Sequence, residues 1–317
     1  MKIYLPLFFL LLVGTKCIIA QNIEENPLDF PILKGPYFGG EVPDMFSEVF
    51  IDEVISKENE PEMCGVFTDE GTKFYYNALH NGVWTIFETK LVDRQWLRPK
   101  PIDFSNGYTD RDFTISPDGN KLYFGSNRPK PQENGKSNNL DIYVSEKLAS
   151  GKWSEPKNMG NIINSNRTEN YPSVDLKGNL YFFSCRDEGN GGCEIYISRF
   201  VSGTYQTPEL LSNAINSDKH DWDSFVAPDG SYIIFSSQNR EDTVGMQDLY
   251  ISYKNNNGNW TNAINMGPRI NSTNDEICPS VSLNGDYLFF TSRRRGKADI
   301  YWISAKIIET LKPEYLK

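Results

Sequence analysis

Apolar and polar positions follow one another along this chain in a phrase that returns five times. Each copy runs from a mixed strand through a tight turn into a short apolar strand, then through a polar loop into another. The turn glycines are Gly71, Gly119, Gly178, Gly230 and Gly285, so successive copies lie 48, 59, 52 and 55 residues apart. Each follows an acidic or polar residue (Glu70, Asp118, Lys177, Asp229, Asn284) and supplies the positive φ that such a turn demands. Second strands are predicted at 73–76, 122–124, 180–182, 232–235 and 287–290, and third strands at 85–87, 141–143, 194–196, 248–250 and 299–301. Continuous apolar runs of this length suit strands buried between neighbouring sheets. A period near fifty residues predicts the blades of a propeller.

The same pattern predicts how the ring closes. A fourth element follows the first four copies, beginning at Gln95-Trp96, Lys152-Trp153, Thr204-Tyr205 and Asn259-Trp260, and an Ile-Asn-Ser phrase (163–165, 215–217, 270–272) leads to the next copy. The fifth copy lacks this element. The stretch from Val49 to Ser56 has no blade of its own, and its Ile55-Ser56 matches the phrase. The expected fold is therefore all-β: a single propeller of five four-stranded blades over residues 47–305, closed by this N-terminal strand joining the last blade. Closure removes sheet edges that would otherwise invite aggregation. Residues 21–46, rich in Asn, Pro and Gly, read as an extended arm without a core of its own, and 306–317 as a C-terminal tail. In residues 1–20, Lys2 precedes an apolar run that ends at the small Ala20, the pattern of a secretory signal peptide. The run is shorter than the ~20 residues a membrane span needs.

Alignment on the glycines exposes two rings of side chains. Nine positions before each glycine stands an acid: Glu62, Asp110, Glu169, Asp221 and Glu276. Two positions later come Cys64, Asp112, Tyr171, Asp223 and Cys278. Period-two alternation puts both sets on one strand face, around one mouth of the central channel. An acid kept in every copy favours a role as a cap on loop N–H groups; the other role is an electronegative site for a cation, a basic partner or a sugar. Arg128, Arg186 and Arg294 stand opposite Asp141, Glu194 and Asp299 and read as hairpin braces worth ~1 kcal/mol each. The four cysteines after residue 20 form two predicted disulfides. Cys185–Cys193 bridges a hairpin, and Cys64–Cys278 staples the seam between the first and fifth copies. Only His80 and His220 are available as imidazole ligands and no usual spacing occurs, so no metal site is predicted. No cofactor is expected either, beyond a cation held at the acidic mouth.

Ser116-Pro-Asp-Gly119, Ser126-Asn-Arg128 and Asp141-Ile-Tyr143, with Ala227-Pro-Asp-Gly230 and Glu276-Ile-Cys-Pro279, resemble the WD-like propeller repeats of the TolB family over about residues 45–305. The resemblance implies a periplasmic or surface propeller that binds protein partners, among them peptidoglycan-associated lipoproteins in that family. The N-terminal α/β domain of TolB has no counterpart in these residues, so a role in colicin uptake is not implied. Oligogalacturonate lyases share related repeats, but their metal site needs several His residues. Sialidase-type Asp boxes are absent.

Composition narrows the partners. The chain has 32 basic and 42 acidic residues, and without Lys2 and Lys16 of the leader the balance is 30 − 42 = −12. An acidic surface repels phosphate backbones, which argues against nucleic acid. No later apolar stretch is long enough to cross a membrane. The fourth copy departs most from the others at the mouth: Lys219-His-Asp-Trp-Asp223 places Trp222 where they have Met63, Arg111, Asn170 and Ile277. An aromatic face beside carboxylates holds sugars or cations, and it also packs neighbouring blades. The candidate ligand-binding set is Trp222, Asp223, His220, Asp112, Arg111 and Tyr171. The expected function is a monomeric, non-catalytic binding propeller, exported to the periplasm, outer surface or medium, that engages an envelope protein or glycan through the channel mouth. The alternative is a glycan hydrolase using Asp110 and Asp223, which needs carboxylates ~5 Å or ~6.5–9.5 Å apart with one pKa raised. Nucleophilic catalysis has no support, since no Ser or Cys stands out with a paired His.

Overall fold

Each apolar run becomes a strand because both of its faces meet another sheet. In the computed structural model, which describes residues 30–58, 60–130, 135, 137–189 and 192–317, five antiparallel sheets form a five-bladed β-propeller. The signal-peptide segment and residues 21–29 of the arm lie outside the described residues. The innermost strands are Glu62–Thr68, Asp110–Ile115, Glu169–Val174, His220–Val226 and Glu276–Val281. The second strands are Lys73–His80, Lys121–Ser126, Leu180–Ser184, Tyr232–Gln238 and Tyr287–Ser292. Phe74, Phe124, Phe182, Phe235 and Phe290 of these second strands are fully buried, each stabilising the stack by about 1.5–3 kcal/mol. The third strands are Val83–Val92, Asp141–Glu146, Glu194–Ser198, Asp248–Tyr253 and Asp299–Ser304. Glycines 71, 119, 178, 230 and 285 all have φ between 72° and 80°, as the turns require.

The outer strands are short and begin later than the aromatic residues that announce them. They are Lys100–Pro101, Lys157–Asn158, Glu209–Leu210 and Ile264–Asn265, each paired with the third strand of its blade. The last blade takes its outer strand from the other end of the chain. Glu48 pairs with Trp302, Val49 with Tyr301, and Phe50 N–H donates to Ile300 O at 2.8 Å. Only Glu48–Val49 is strand; after it the chain turns, with Ile51 and Glu53 at positive φ. Ile55 and Ser56 are buried where the phrase match places them.

The arm does not lie free. Phe38 stacks on Trp96 of the first blade, centroids 3.9 Å apart, and packs edge-on against Phe50 and Phe74. Tyr37 meets Phe67 of the first blade and Tyr287 and Trp302 of the fifth. Contrary to expectation, residues 32–46 carry buried aromatic side chains across the closure seam. At the other end, helix Lys306–Leu311 buries Ile307 and Ile308, and Tyr253 Oη of the fourth blade donates to Ile308 O at 2.5 Å.

The repeated polar residues form one bonding scheme. The Asn of the phrase that follows each of blades two to four brackets that blade's third strand: Asn164 with Ile142, Asn216 with Ile195 and Asn271 with Leu249, each Oδ1 accepting an N–H at 2.8 Å. The following Ser donates to the next blade's acid. Ser165 N–H reaches Glu169, Ser217 N–H Asp221 and Ser272 N–H Glu276, each at 2.7 Å. Those acids are therefore caps between blades.

Candidate functional site

All five innermost strands are broken by a β-bulge. The register shifts between Met63/Val66, Arg111/Thr114, Asn170/Ser173, Trp222/Phe225 and Ile277/Ser280. Cys64, Asp112, Tyr171, Asp223 and Cys278 sit in those bulges at φ of 58°, 52°, 49°, 40° and 55°. A bulge interrupts alternation and re-aims a side chain, so the two predicted rings do not act together. The acids turn into their own blades and the bulge residues meet at the axis.

The acid ring is structural. Asp110 accepts from Ser126 Oγ at 2.7 Å and pairs with Arg128. Glu169 accepts from Ser184 at 2.6 Å with Arg186 at 3.7 Å, Asp221 from Ser237 at 2.6 Å with Arg240 at 2.7 Å, and Glu276 from Ser292 at 2.6 Å with Arg294 at 3.3 Å. This corrects the expected braces. The arginines reach the first-strand acid, while Asp141 accepts from Asn158 at 2.8 Å and Asp299 pairs with Lys297 and Arg295. The guanidinium groups of Arg186, Arg240 and Arg294 also lie over the second-strand Phe and third-strand Tyr of their blades, Arg294 at 4.5 Å from the Tyr301 centroid, while Arg128 lies over Phe104, Tyr108 and Phe124. Blade one has no such arginine, and Lys297 of blade five reaches Glu62 at 3.6 Å instead. Burial pushes the Glu62 carboxyl up to about 8 and raises Asp110 and Glu169 as well. Asp110 is fully buried in this lock.

At the level of the bulges side chains fill the axis, and beyond them lies a cavity lined by all five innermost strands, among them Val66, Phe113, Tyr171, Phe225 and Val281. Tyr171 Oη crosses from blade three to donate to Pro279 O of blade five at 2.9 Å. Cys64 Sγ lies 2.8 Å from Cys278 Sγ and 3.4 Å from Asp112 Oδ1, all three residues being buried. The expected seam disulfide is not closed here: both cysteines are free thiols. Burial pushes Cys278 up to about 12 and Cys64 well above the usual thiol range. Arg111 Nε stands 3.1 Å from Asp112 Oδ2, the carboxylate that holds this guanidinium above its ordinary value. Asp223 Oδ2 accepts from Cys278 N–H at 3.3 Å, and burial, with Asp112 adding to it, pushes its carboxyl up to about 7. Asn77 of blade one accepts from Asp112 N–H at 2.9 Å, and Asn170 Nδ2 donates to the Asp112 carboxylate. Four predicted ligand residues thus converge (Arg111, Asp112, Tyr171, Asp223) with Cys64 and Cys278 of the same predicted ring, joined by Asn77 and Asn170, to which the sequence assigned no part.

Trp222 and His220 lie to one side. Their rings stack 5.1 Å apart at 7°, and His220 Nδ1 accepts from Cys193 N–H at 3.1 Å. Cys193 is disulfide-bonded to Cys185, as expected. Beside them opens a cleft of about 480 Å³ lined by Asn139, Arg167, Arg186, Asp187, the disulfide and His220. Half-buried Trp222 packs on the central apolar cluster, as does Trp84 of blade one, which sequence reading passed over because it precedes a third strand.

With this geometry in view, comparison with known proteins is informative about architecture. No protein-family model matches the chain, and no curated protein matches its sequence. Among solved structures, a putative TolB from Agrobacterium tumefaciens aligns at TM-score 0.50 and 18% identity, over 74% of this chain and 70% of that one. TolB from Acinetobacter baumannii aligns at 0.50 and 18%, over 78% of this chain and 52% of its own, so this chain spans about half of it. A thermostable family-43 glycoside hydrolase aligns at 0.51 and 13%, over 78% and 89%. The likeness is one of fold. TolB-like propellers and a hydrolase share it, and at such identities it carries no activity from either. Among the described residues no helix is long and apolar enough to cross a membrane.

Proposed function

We propose that this chain is an exported, non-catalytic binding propeller that engages a protein or glycan partner through the face carrying Trp222 and His220. The observation that carries this reading is the state of Asp110. Held through Oδ1 by Arg128 and Ser126 and fully buried, its carboxylate presents no surface to a substrate, as one half of a hydrolytic pair must. What the same face does offer is a stacked indole–imidazole pair beside an open cleft edged by Arg167, Arg186 and Asp187. Aromatic surface with a few polar groups at the rim is the composition of recognition sites. The Cys185–Cys193 bond fits export, because disulfides persist in oxidising compartments.

The test is capture from envelope extracts and binding to arrayed glycans by the wild type and by Trp222→Ala. Expected is a partner retained by the wild type and lost by the variant, whose thermal midpoint stays within a few degrees. Sugar released from any bound glycan, with release abolished in Asp223→Asn, would overturn the non-catalytic reading. Equal capture by the wild type and Trp222→Ala would move the site elsewhere.

A further inference from the structure

We propose that the axis of the propeller is a metal site: Cys64, Cys278 and Asp112 bind one thiophilic divalent cation, Zn²⁺ in the first instance. Three donors from three different blades converge there. The two sulfurs lie 3.4 Å and 4.0 Å from Asp112 Oδ1, and one ligand atom from each residue falls within 4.8 Å of the others. Zn–S and Zn–O bonds of about 2.3 Å and 2.0 Å in tetrahedral geometry put S···O edges near 3.5 Å and an S···S edge near 3.8 Å. The Cys64 sulfur–oxygen spacing of 3.4 Å already fits, the Cys278 spacing of 4.0 Å must shorten by about 0.5 Å, and the sulfurs, at 2.8 Å, need to part by about 1 Å. Two thiolates and a carboxylate form a donor set that selects zinc over magnesium or calcium.

The surroundings favour an ion over a cystine. Among the described residues, the donors within reach of Asp112 Oδ1 are the two thiols. Oxidised to a disulfide they would leave that buried oxygen without a partner, which costs about 1–3 kcal/mol or more for a charged group. A metal satisfies it. Charge balances too: Zn²⁺ enters as the two thiols release two protons, so the cluster stays at −1 beside Arg111. The ligands are already oriented by groups of their own. Asn170 and Arg111 hold Asp112 Oδ2, Thr291 Oγ1 accepts from Cys64 N–H at 3.1 Å, and Asp223 accepts from Cys278 N–H. Such outer contacts are part of a working metal centre. Three protein ligands leave a fourth position, and the partly exposed Arg111 marks the side from which an ion enters.

The protein is isolated without reductant, assayed for bound metal, stripped with chelator under argon and titrated with Zn²⁺. Native mass spectrometry is expected to show one zinc per chain, added with loss of two protons. Co²⁺ in its place should give the thiolate-to-cobalt charge-transfer band of a sulfur-ligated site. Cys64→Ser and Cys278→Ser should abolish that band, and Asp112→Asn should weaken zinc binding by more than the about 10–100-fold that outer-contact substitutions cost. The double variant Cys185→Ser/Cys193→Ser should bind as the wild type does. If the single variants do not fold, the wild-type cobalt spectrum still decides, since a bound ion without the band is not on these sulfurs. A folded, reduced protein that takes up no zinc overturns the proposal. So does an isolated chain whose mass shows a second disulfide.

Discussion

Arg128 illustrates how a residue's partner is chosen by burial. Hairpin spacing places it opposite Asp141, as an exposed brace. It lies instead against Asp110 and over Phe104 and Phe124, centroids 5.4 Å and 5.7 Å away. Breaking one half of a buried pair strands the other charge, at about 3–5 kcal/mol. Arg128→Ala is expected to lower the unfolding free energy by that amount in urea titrations; a loss near ~1 kcal/mol would return the pair to a surface brace. Sequence periodicity marked the acid, the Arg and the Tyr as repeating, and all three are part of one lock. It assigned the third-strand acid as partner, and wrongly, because each arginine has two acids at similar sequence distance.

Among the elements, the arm was the least legible. Its Asn, Pro and Gly content reads as loop, and loop it is, yet it delivers Tyr37 and Phe38 into the seam between first and last blades. Two aromatic residues without periodicity give no sign of burial until the sheets that receive them are placed. Phe38→Ala removes a ring packed among Trp96, Phe50 and Phe74 and is expected to cost about 3–5 kcal/mol. Thermal unfolding by near-ultraviolet circular dichroism measures it, and an unchanged midpoint would make the arm incidental. The bulges escaped sequence reading for a related reason. Cys and Tyr at positive φ are unusual choices for the left-handed region, which Asp accepts more readily, and only pairing with the second strand puts all five there.

For the whole molecule, closure is the decisive event. The free edge of the third strand of blade five is covered by the N-terminal segment: Glu48–Val49 pair with it, Phe50 N–H donates to Ile300 O, and Asp44 O accepts from Ser304 N–H. Deleting residues 30–56 leaves that edge unpaired, and unpaired edges recruit other strands. The deletion variant is expected to associate in a concentration-dependent way on size-exclusion chromatography. A monodisperse monomer of unchanged midpoint would show the closure to be dispensable. Closure also brings Cys64 to Cys278 and both to Asp112, so the proposed metal centre exists only in a closed ring.

By itself, the sequence determined the number of blades, the turn glycines, the source of the missing strand, the hairpin disulfide and the blade that departs from the rest. These follow from local chemistry repeated at a fixed period: an apolar run, a residue that tolerates positive φ, a phrase that links one sheet to the next. Tertiary structure alone decided which acid each arginine meets, which way Asp112 and Asp223 point, and that Tyr171 spans the axis while the two cysteines paired from the sequence face Asp112. Those outcomes depend on bulges and on contacts between blades far apart in the chain, where several partners are equally near in sequence and only packing selects one.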